Sequence, residues 1–333
     1  MAGDERHRSV GRVTTWRRGI ARRLPWLRSA YAYARKRLQS PRMQEYAIAV
    51  YCGENPWSLG PVSGIRQPVL TRHQVTDVPA AFVADPFMLR HDASWHMYFE
   101  VMRADTGLGE IGVASSPDGY TWSYGGIVLA EPFHLSYPYV FESDGEHYMI
   151  PETGAASSVR LYRARALPSR WTFEAELLSG AAFLDASVFR HDDRWWMLTE
   201  ATQARVGLPR PPRYGTLRLY GAHELRGPWE EHPMSPVVAA DPSIARPAGR
   251  VITTDGRLVR FGQDCSTVYG EAVHAFEIEE LSQACYRERL IATPSALGPG
   301  KRGWNRGGMH HVDAHRVDDG WLASVDGWAW RRT

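Results

Sequence analysis

Ala84–Glu100 reads ADPFMLRHDASWHMYFE: an acid at its head, an apolar run, a short polar turn, and a second run rich in aromatics. The design returns as SYPYVFESDGEHYMIPE from Ser136, LDASVFRHDDRWWMLTE from Leu184, ADPSIARPAGRVITTDGRLVRF from Ala240 and HVDAHRVDDGWLASVDGW from His311. Asp-Gly and Asp-Asp between apolar runs signal tight hairpins. The leading positions are Asp85, Tyr137, Asp185, Asp241 and His311, spaced by 52, 48, 56 and 70 residues. Each of the first four hairpins precedes a further apolar run and an aromatic: Ile111 to Trp122, Leu161 to Trp171, Leu219 to Trp229, Phe276 to Tyr286. Four strands per unit is the make-up of a propeller blade.

The fifth unit stops after its second strand. Its missing half stands at the other end of the repeat region, where YAIAVYCGENPW (Tyr46–Trp57) is similar to IGVASSPDGYTW (Ile111–Trp122). The expected fold is therefore all-β: a five-bladed β-propeller whose N-terminal strands complete the last blade and close the ring, removing the exposed edge. A pair of β-sandwiches and a β-domain with a small α-domain are the rival architectures. The division expected is an arm over 1–43 and the propeller over 44–333.

Composition agrees with a globular chain. Of 333 residues 44% are hydrophobic and 23% charged, ordinary values that exclude disorder and collagen-like structure for most of the length. No run of 18 apolar residues suggests a membrane-spanning helix. Cys52, Cys265 and Cys285 are odd in number and lack CxxC spacing, which argues against a disulfide framework and a thiolate zinc site. A reducing cytosol is the simplest compartment.

The net charge of +2 conceals an asymmetry. Residues 1–43 hold twelve Arg or Lys against two acids, a net +10, which leaves −8 on the remaining 290 residues. Trp16, Ile20, Leu24, Leu27, Tyr31 and Leu38 recur at near-helical spacing among the arginines, interrupted by Pro25. The segment has no apolar core of secretory type. It reads either as a solvated, partly helical tail or as an arm that docks on an anionic membrane surface. Arginine tails also bind phosphates without specificity, but the body carries no recognition module, so no specific nucleic acid is expected. The location implied is cytoplasmic, and peripheral to the inner membrane face on the reading in which the arm docks.

In a propeller the first strand of each blade lines the axis and the second runs antiparallel to it. The start of one and the end of the other meet on one face. An inner ring of Asp85, Tyr137, Asp185, Asp241 and His311 should therefore face an outer ring of Glu100, Glu152, Glu200, Asp264 and Asp326. Carboxylates gathered there must protonate, pair with cations or bind a metal; Arg246, Arg260, His310 and His311 are the partners at hand. Glycoside chemistry uses such separated carboxyl pairs. The competing reading of Asp85 and Asp241 is a turn cap before proline, and Trp122, Trp171, Trp195, Trp196 and Trp229 read as inter-blade packing. GxSxG, P-loop, HExxH and DxD patterns are absent. A transition-metal site from His310, His311, Asp313 and His315 is a minor alternative. No cofactor is required, and a structural calcium in the central channel is compatible with the pattern.

The blade pattern with Asp85, Asp185 and a fourth-blade acid resembles the five-bladed glycoside hydrolases of family 43 and their clan. The resemblance implies Asp85 as general base and Asp185 as the residue that orients the acid and tunes its pKa. Asp241 stands at the acid position, Asp where the family has Glu, with Glu152 and Glu200 as alternatives. It also implies His311 as the fifth-blade histidine near a central calcium or water. A further resemblance covers residues 46–328. FVADPFM, GEIGVASSPDGYTW, EPFHLSYPYVFE, MIPET, VRLYRA and GMHHVDAHR occur in order, as in bacterial proteins similar to the N-terminal domain of plant glucosamine inositolphosphorylceramide transferases.

Two functions follow as expectations. One is an enzyme that cleaves or transfers a glycosyl unit on a glycolipid or polysaccharide precursor. It would use Asp85, Asp185 and an acid from Asp241, Glu152 or Glu200, with Glu100, Tyr137, Arg246, His310 and His311 binding substrate. The other is a non-catalytic propeller that binds a glycan or lipid headgroup beside a separate glycosyltransferase.

Overall fold

The structure is a computed structural model that describes residues 42–202, 215–291 and 295–332. The basic, partly helical arm expected over 1–43 lies outside them except for its last two residues. Twenty-one strands of the described residues form five sheets. Blade I is β3 (Ala80–His91), β4 (Ser94–Arg103), β5 (Gly109–Ser116) and β6 (Ser123–Leu129). Blade II is β7 (Ser136–Ser143), β8 (Glu146–Glu152), β9 (Ser158–Ala166) and β10 (Arg170–Ser179). Blade III is β11 (Ala182–His191), β12 (Arg194–Thr202), β13 (Leu217–Ala222) and β14 (Glu230–Glu231).

Blade IV divides its innermost strand into β15 (Arg246–Pro247) and β16 (Ile252–Thr254), both paired with β17 (Arg257–Asp264), which continues to β18 (Ala272–Leu281) and β19 (Tyr286–Leu290). Blade V takes β20 (Gly308–Val317) and β21 (Gly320–Arg332) from the end of the chain, and β1 (Arg42–Asn55) and β2 (Ser58–Pro61) from the other side of the repeats. β1 runs antiparallel to β21 in unbroken register from Arg42↔Arg332 to Gly53↔Trp321. The five-bladed ring and its closure match the sequence expectation. No helix among the described residues is long and apolar enough to cross a membrane.

The hairpin turns explain themselves chemically. Asp144-Gly145, Asp192-Asp193 and Asp255-Gly256 all have positive φ at both positions, the conformation that matches strand twist and that Asp and Gly tolerate. Between blades the inward and outward faces pack as apolar layers. Ile48 and Val50 of β1 meet Val83, Met88 and Met97 of blade I across the closing seam. Trp171 stands edge-on to Tyr98 at 5.3 Å and Trp195 lies 5.8 Å from Phe141. Trp171, Trp195 and Trp196 are buried, and Trp122 and Trp229 pack against the same layers, so this tryptophan set is packing.

The axis is filled rather than open. Between β15 and β16 the chain passes through Gly249 (φ +143°), where a Cβ would come within 1.8 Å of the Val312 carbonyl oxygen of blade V. The Tyr137 hydroxyl accepts from the Gly249 N–H at 2.7 Å and lies 2.8 Å from Ser187 Oγ, which itself donates to the Gly249 carbonyl at 2.9 Å. Val312 N–H bonds Ala248 O at 2.8 Å. Four blades are thereby tied at one point. On the far side Arg250 bonds Asp313 Oδ1 at 2.8 Å and the Val140 carbonyl at 2.9 Å, while Asp313 Oδ2 accepts from the Met88 N–H at 2.6 Å.

Tyr137→Phe removes the hydroxyl and leaves the Gly249 N–H buried without its acceptor. The expected loss is about 1–3 kcal/mol of unfolding free energy, read from the urea midpoint at unchanged m-value; an unaltered midpoint would show that this knot carries no net stability.

Candidate functional site

Three β-bulges aim side chains at the axis from one face. Pairing slips between Ala84 and Phe87, Ser136 and Tyr139, and Leu184 and Ser187. The inserted residues Asp85, Tyr137 and Asp185 take left-handed backbone (φ 54°, 47° and 52°). A bulge of this kind turns its side chain out of the pleat, and aspartate accepts the conformation at low cost.

The cup that results is centred on Arg246. Its Nε donates to Asp185 Oδ2 at 2.6 Å; one terminal nitrogen donates to Asp185 Oδ1 at 3.2 Å and Glu152 Oε2 at 3.1 Å; the other lies 3.6 Å from Glu200 Oε2. Gln263, directly opposite Arg246 in the β15–β17 register, donates to Asp185 Oδ2 at 2.9 Å. Glu200 Oε1 accepts the Gly215 N–H at 2.6 Å. Tyr269 covers the guanidinium with its ring at 5.3 Å. On the blade V side His310 Nδ1 meets Asp326 Oδ1 at 2.6 Å, and its Nε2 lies 3.6 Å from Asp85 Oδ1. Asp326 Oδ2 accepts the Asp85 N–H at 2.8 Å, and Asp85 Oδ2 accepts the Tyr137 N–H at 3.3 Å.

Exposure separates a rim from a base. The side chains of Arg246 and Glu152 are each 11% exposed and that of Asp85 9%, whereas Asp185, Glu200, His310 and Asp326 are between 0 and 3%. Among these side chains Asp85, Glu152 and Arg246 keep the most contact with solvent. Burial raises the Asp85 carboxyl to about 7, with His310 opposing and Asp326 and Asp185 adding to the rise. Burial and the neighbouring Asp185 charge hold Glu152 well above the ordinary carboxyl range against Arg246. Glu200 is raised by burial too, with Arg246 and the Gly215 N–H working against it. Burial alone would depress His310, but the charge and hydrogen bond of Asp326, with Asp85, lift it to about 9. Asp326 shifts downward because His310 outweighs its burial. Within the cup Asp85, Glu152 and Glu200 are thus pushed upward and Asp326 downward, a divergence imposed by burial and by the neighbouring cations.

The predicted site residues divide. Asp85, Glu152, Asp185, Glu200, Arg246 and His310 come together, with Asp326 of the outer ring. Asp241 does not join them: its Oδ1 accepts the Ser243 N–H at 3.0 Å and hydroxyl at 2.5 Å, and its carbonyl accepts the Ala245 N–H at 3.2 Å. The cause is local. In blade I Asp85 takes the left-handed conformation, while in blade IV the preceding Ala240 does (φ 59°). The second ADP motif therefore aims its carboxylate at its own turn, and the strand begins only at Arg246. By the same displacement Gln263, not Asp264, faces the cup; Asp264 caps Ser266 at 2.9 Å and lies 3.5 Å from His274. Glu100 sits apart, 3.6 Å from His134. Tyr137 belongs to the channel knot. His311 faces away, its Nε2 3.0 Å from the Pro86 carbonyl and its ring edge-on to Phe87 and Tyr137; burial depresses it to about 4.

Asp85, His310 and Asp326 bring potential ligand atoms within 4.8 Å of one another, the one such group among the described residues. Calcium asks for about 6–8 oxygens, and three of the four oxygens here already accept hydrogen bonds, so this donor set does not fit it. Gln263 and Tyr269 escaped sequence reading. Gln263 was recoverable only by starting the blade IV strand at Arg246, and Tyr269 lies in a loop with no periodic signal.

Residues 40–328 match the family described as the N-terminal region of glucosamine inositolphosphorylceramide transferase 1. The chain belongs to that family. It is 36% identical over 304 residues to glucosamine inositolphosphorylceramide transferase 1 of Oryza sativa subsp. japonica, covering 85% of this chain and 40% of the relative. The Arabidopsis thaliana protein of the same name is 33% identical over 302 residues, covering 85% and 39%. This chain thus spans about 40% of the length of these curated relatives. They are plant proteins, which corrects the expectation that the resemblance would lie with bacterial ones. Among solved structures, the Listeria innocua β-1,2-mannobiose phosphorylase complex aligns at a TM-score of 0.55 with 12% identity, covering 84% of this chain and 96% of that one. A mutant of Cellvibrio cellulosa α-L-arabinanase aligns at 0.53 with 15% identity, covering 76% and 92%. These likenesses are of fold.

A histidine raised from 6.5 to about 9 adds stability that is complete below the unfolded value and disappears as pH rises through the folded one. Between pH ~6.5 and ~9 the wild type should lose stability relative to His310→Gln by up to about 1.4 kcal/mol per pH unit. Parallel curves of urea midpoint against pH for the two proteins would refute the His310–Asp326 ion pair.

Proposed function

We propose that the propeller recognises a glycan through the cup rimmed by Asp85, Glu152 and Arg246, and that it holds the glycan without cleaving it. The observation that supports this reading is Arg246. Blade IV contributes a guanidinium where a carboxyl from Asp241 was expected, and that guanidinium engages Asp185, Glu152 and Glu200 together. An arginine stays charged at any working pH, so it does not serve as general acid. Five carboxyl groups against two cations suit hydroxyl and ammonium donors better than a phosphate. The curated relatives are named for glucosamine and inositolphosphorylceramide, so an amino sugar on a glycolipid headgroup is the ligand class that joins chemistry to kinship. The arm over 1–43, at net +10, would draw the cup toward an anionic membrane surface that presents such a headgroup.

A second reading keeps turnover. Its support is the Asp85 carboxyl at about 7, the range in which a general base works best, with the raised Glu152 as its acid. Calorimetric titration with glucosamine, mannose, arabinose and myo-inositol 1-phosphate separates the two when run beside nitrophenyl glycosides of the same sugars. Binding of a neutral or amino sugar, weakened about tenfold or more by Asp85→Asn and Glu152→Gln with no nitrophenol released, is the expected result. One lost hydrogen bond to a charged group is worth about 1.5–3 kcal/mol. Nitrophenol release that vanishes in Asp85→Asn would replace the binding reading with the catalytic one.

A further inference from the structure

The strand that brings Asp326 to the cup continues past it. Side chains of a strand alternate, so Asp326, Trp328 and Trp330 share one face of β21. Asp326 is at the base of the cup. Trp328 is buried above it, its indole N–H donating to the Gly270 carbonyl at 2.9 Å and its ring 6.3 Å from Tyr46, which stands 4.8 Å from His310. Trp330 is next, about 13 Å along the strand from Asp326 at ~3.3 Å per residue, on the face where the second strands end. Its ring meets Trp328 edge-on at 5.1 Å, yet 41% of the residue remains exposed. The partner strand adds a polar neighbour: Gln44 pairs with Trp330, and its Oε1 accepts the Tyr46 hydroxyl at 3.4 Å.

An exposed tryptophan held upright by a buried one is a rigid apolar surface that costs little ordering entropy when a ligand covers it. It shares a strand face with Asp326 and stands beside an amide able to serve hydroxyls. The other exposed large apolar residues, Phe173, Met234 and Leu290, lie on outer strands or loops away from that face.

We propose that Trp330 is an outer subsite: a ligand sugar unit beyond the one held in the cup stacks on its indole, with the Gln44 side chain as hydroxyl partner. The inference rests on the glycan-binding reading of the cup and adds that the ligand is an oligosaccharide chain rather than a single sugar.

The test compares glucosamine, mannose and arabinose with their linear trimers on the full chain. Trimers should bind roughly two- to tenfold tighter than monosaccharides, the range expected of one aromatic contact. Trp330→Ala should abolish the difference and leave monosaccharide affinity unchanged, while Trp330→Phe should keep most of it. In the wild type, trimer and not monosaccharide should protect an accessible tryptophan from acrylamide quenching. A trimer preference that survives Trp330→Ala, or a bound trimer that gives no protection, overturns the subsite and leaves the cup reading intact. If no sugar of either length binds, cup and subsite fall together.

Discussion

The hydrogen-bonded knot at Gly249 is the constraint on which the site depends. A five-bladed ring has an axial passage, and here the backbone of blade IV crosses it and is seized by Tyr137, Ser187 and Val312. That crossing turns a tunnel into a cup with a floor. It also fixes the start of β15 three residues upstream, and so decides that Arg246, with Gln263 opposite it, enters the cup from the fourth blade in place of Asp241. The absence of a side chain at Gly249 is essential, because the Val312 carbonyl occupies the space a Cβ would need.

Above that floor, electrostatics sets the arrangement. Buried carboxyls cannot all be ionised side by side, since desolvation and mutual repulsion push their pKa values upward. The chain answers with two local solutions. On one side Arg246 spreads its donors over Asp185, Glu152 and Glu200. On the other, His310 and Asp326 form a closed pair whose remaining oxygen grips the Asp85 backbone. Asp85 stands between them, with one oxygen on the Tyr137 amide and the other toward His310.

The sequence disclosed the ring through its turns. Asp144-Gly145, Asp192-Asp193 and Asp255-Gly256 mark hairpins because their chemistry permits positive φ, and that rule is local. The convergence of Asp85 and Asp185 was legible for the same reason, as repeats that share a bulge place the same position at the axis. Asp241 misled because the motif ADP is identical in blades I and IV while the left-handed residue is Asp85 in one and Ala240 in the other. One residue's shift in backbone conformation lies below the resolution of a pattern. Likewise the choice between His310 and His311 turns on a bulge at Gly308–His311, and adjacent strand residues point opposite ways. Tyr269 reaches Arg246 from a loop, where spacing carries no geometric rule.

The pairing of β1 with β21 gives the molecule an order of assembly. Arg42 and Arg332 are register partners with all the other blades between them in sequence, so during synthesis β1 leaves the ribosome early and must wait for its neighbour. Until β21 arrives, AIAVY of β1 is bonded only on its β2 and Leu70 side and presents its other edge unpaired, the kind of segment that recruits other chains. Asp326 lies opposite Ile48 in that last-made seam. The cup is thus completed only when the final turn of the ring zips shut, so its geometry exists only in a finished ring.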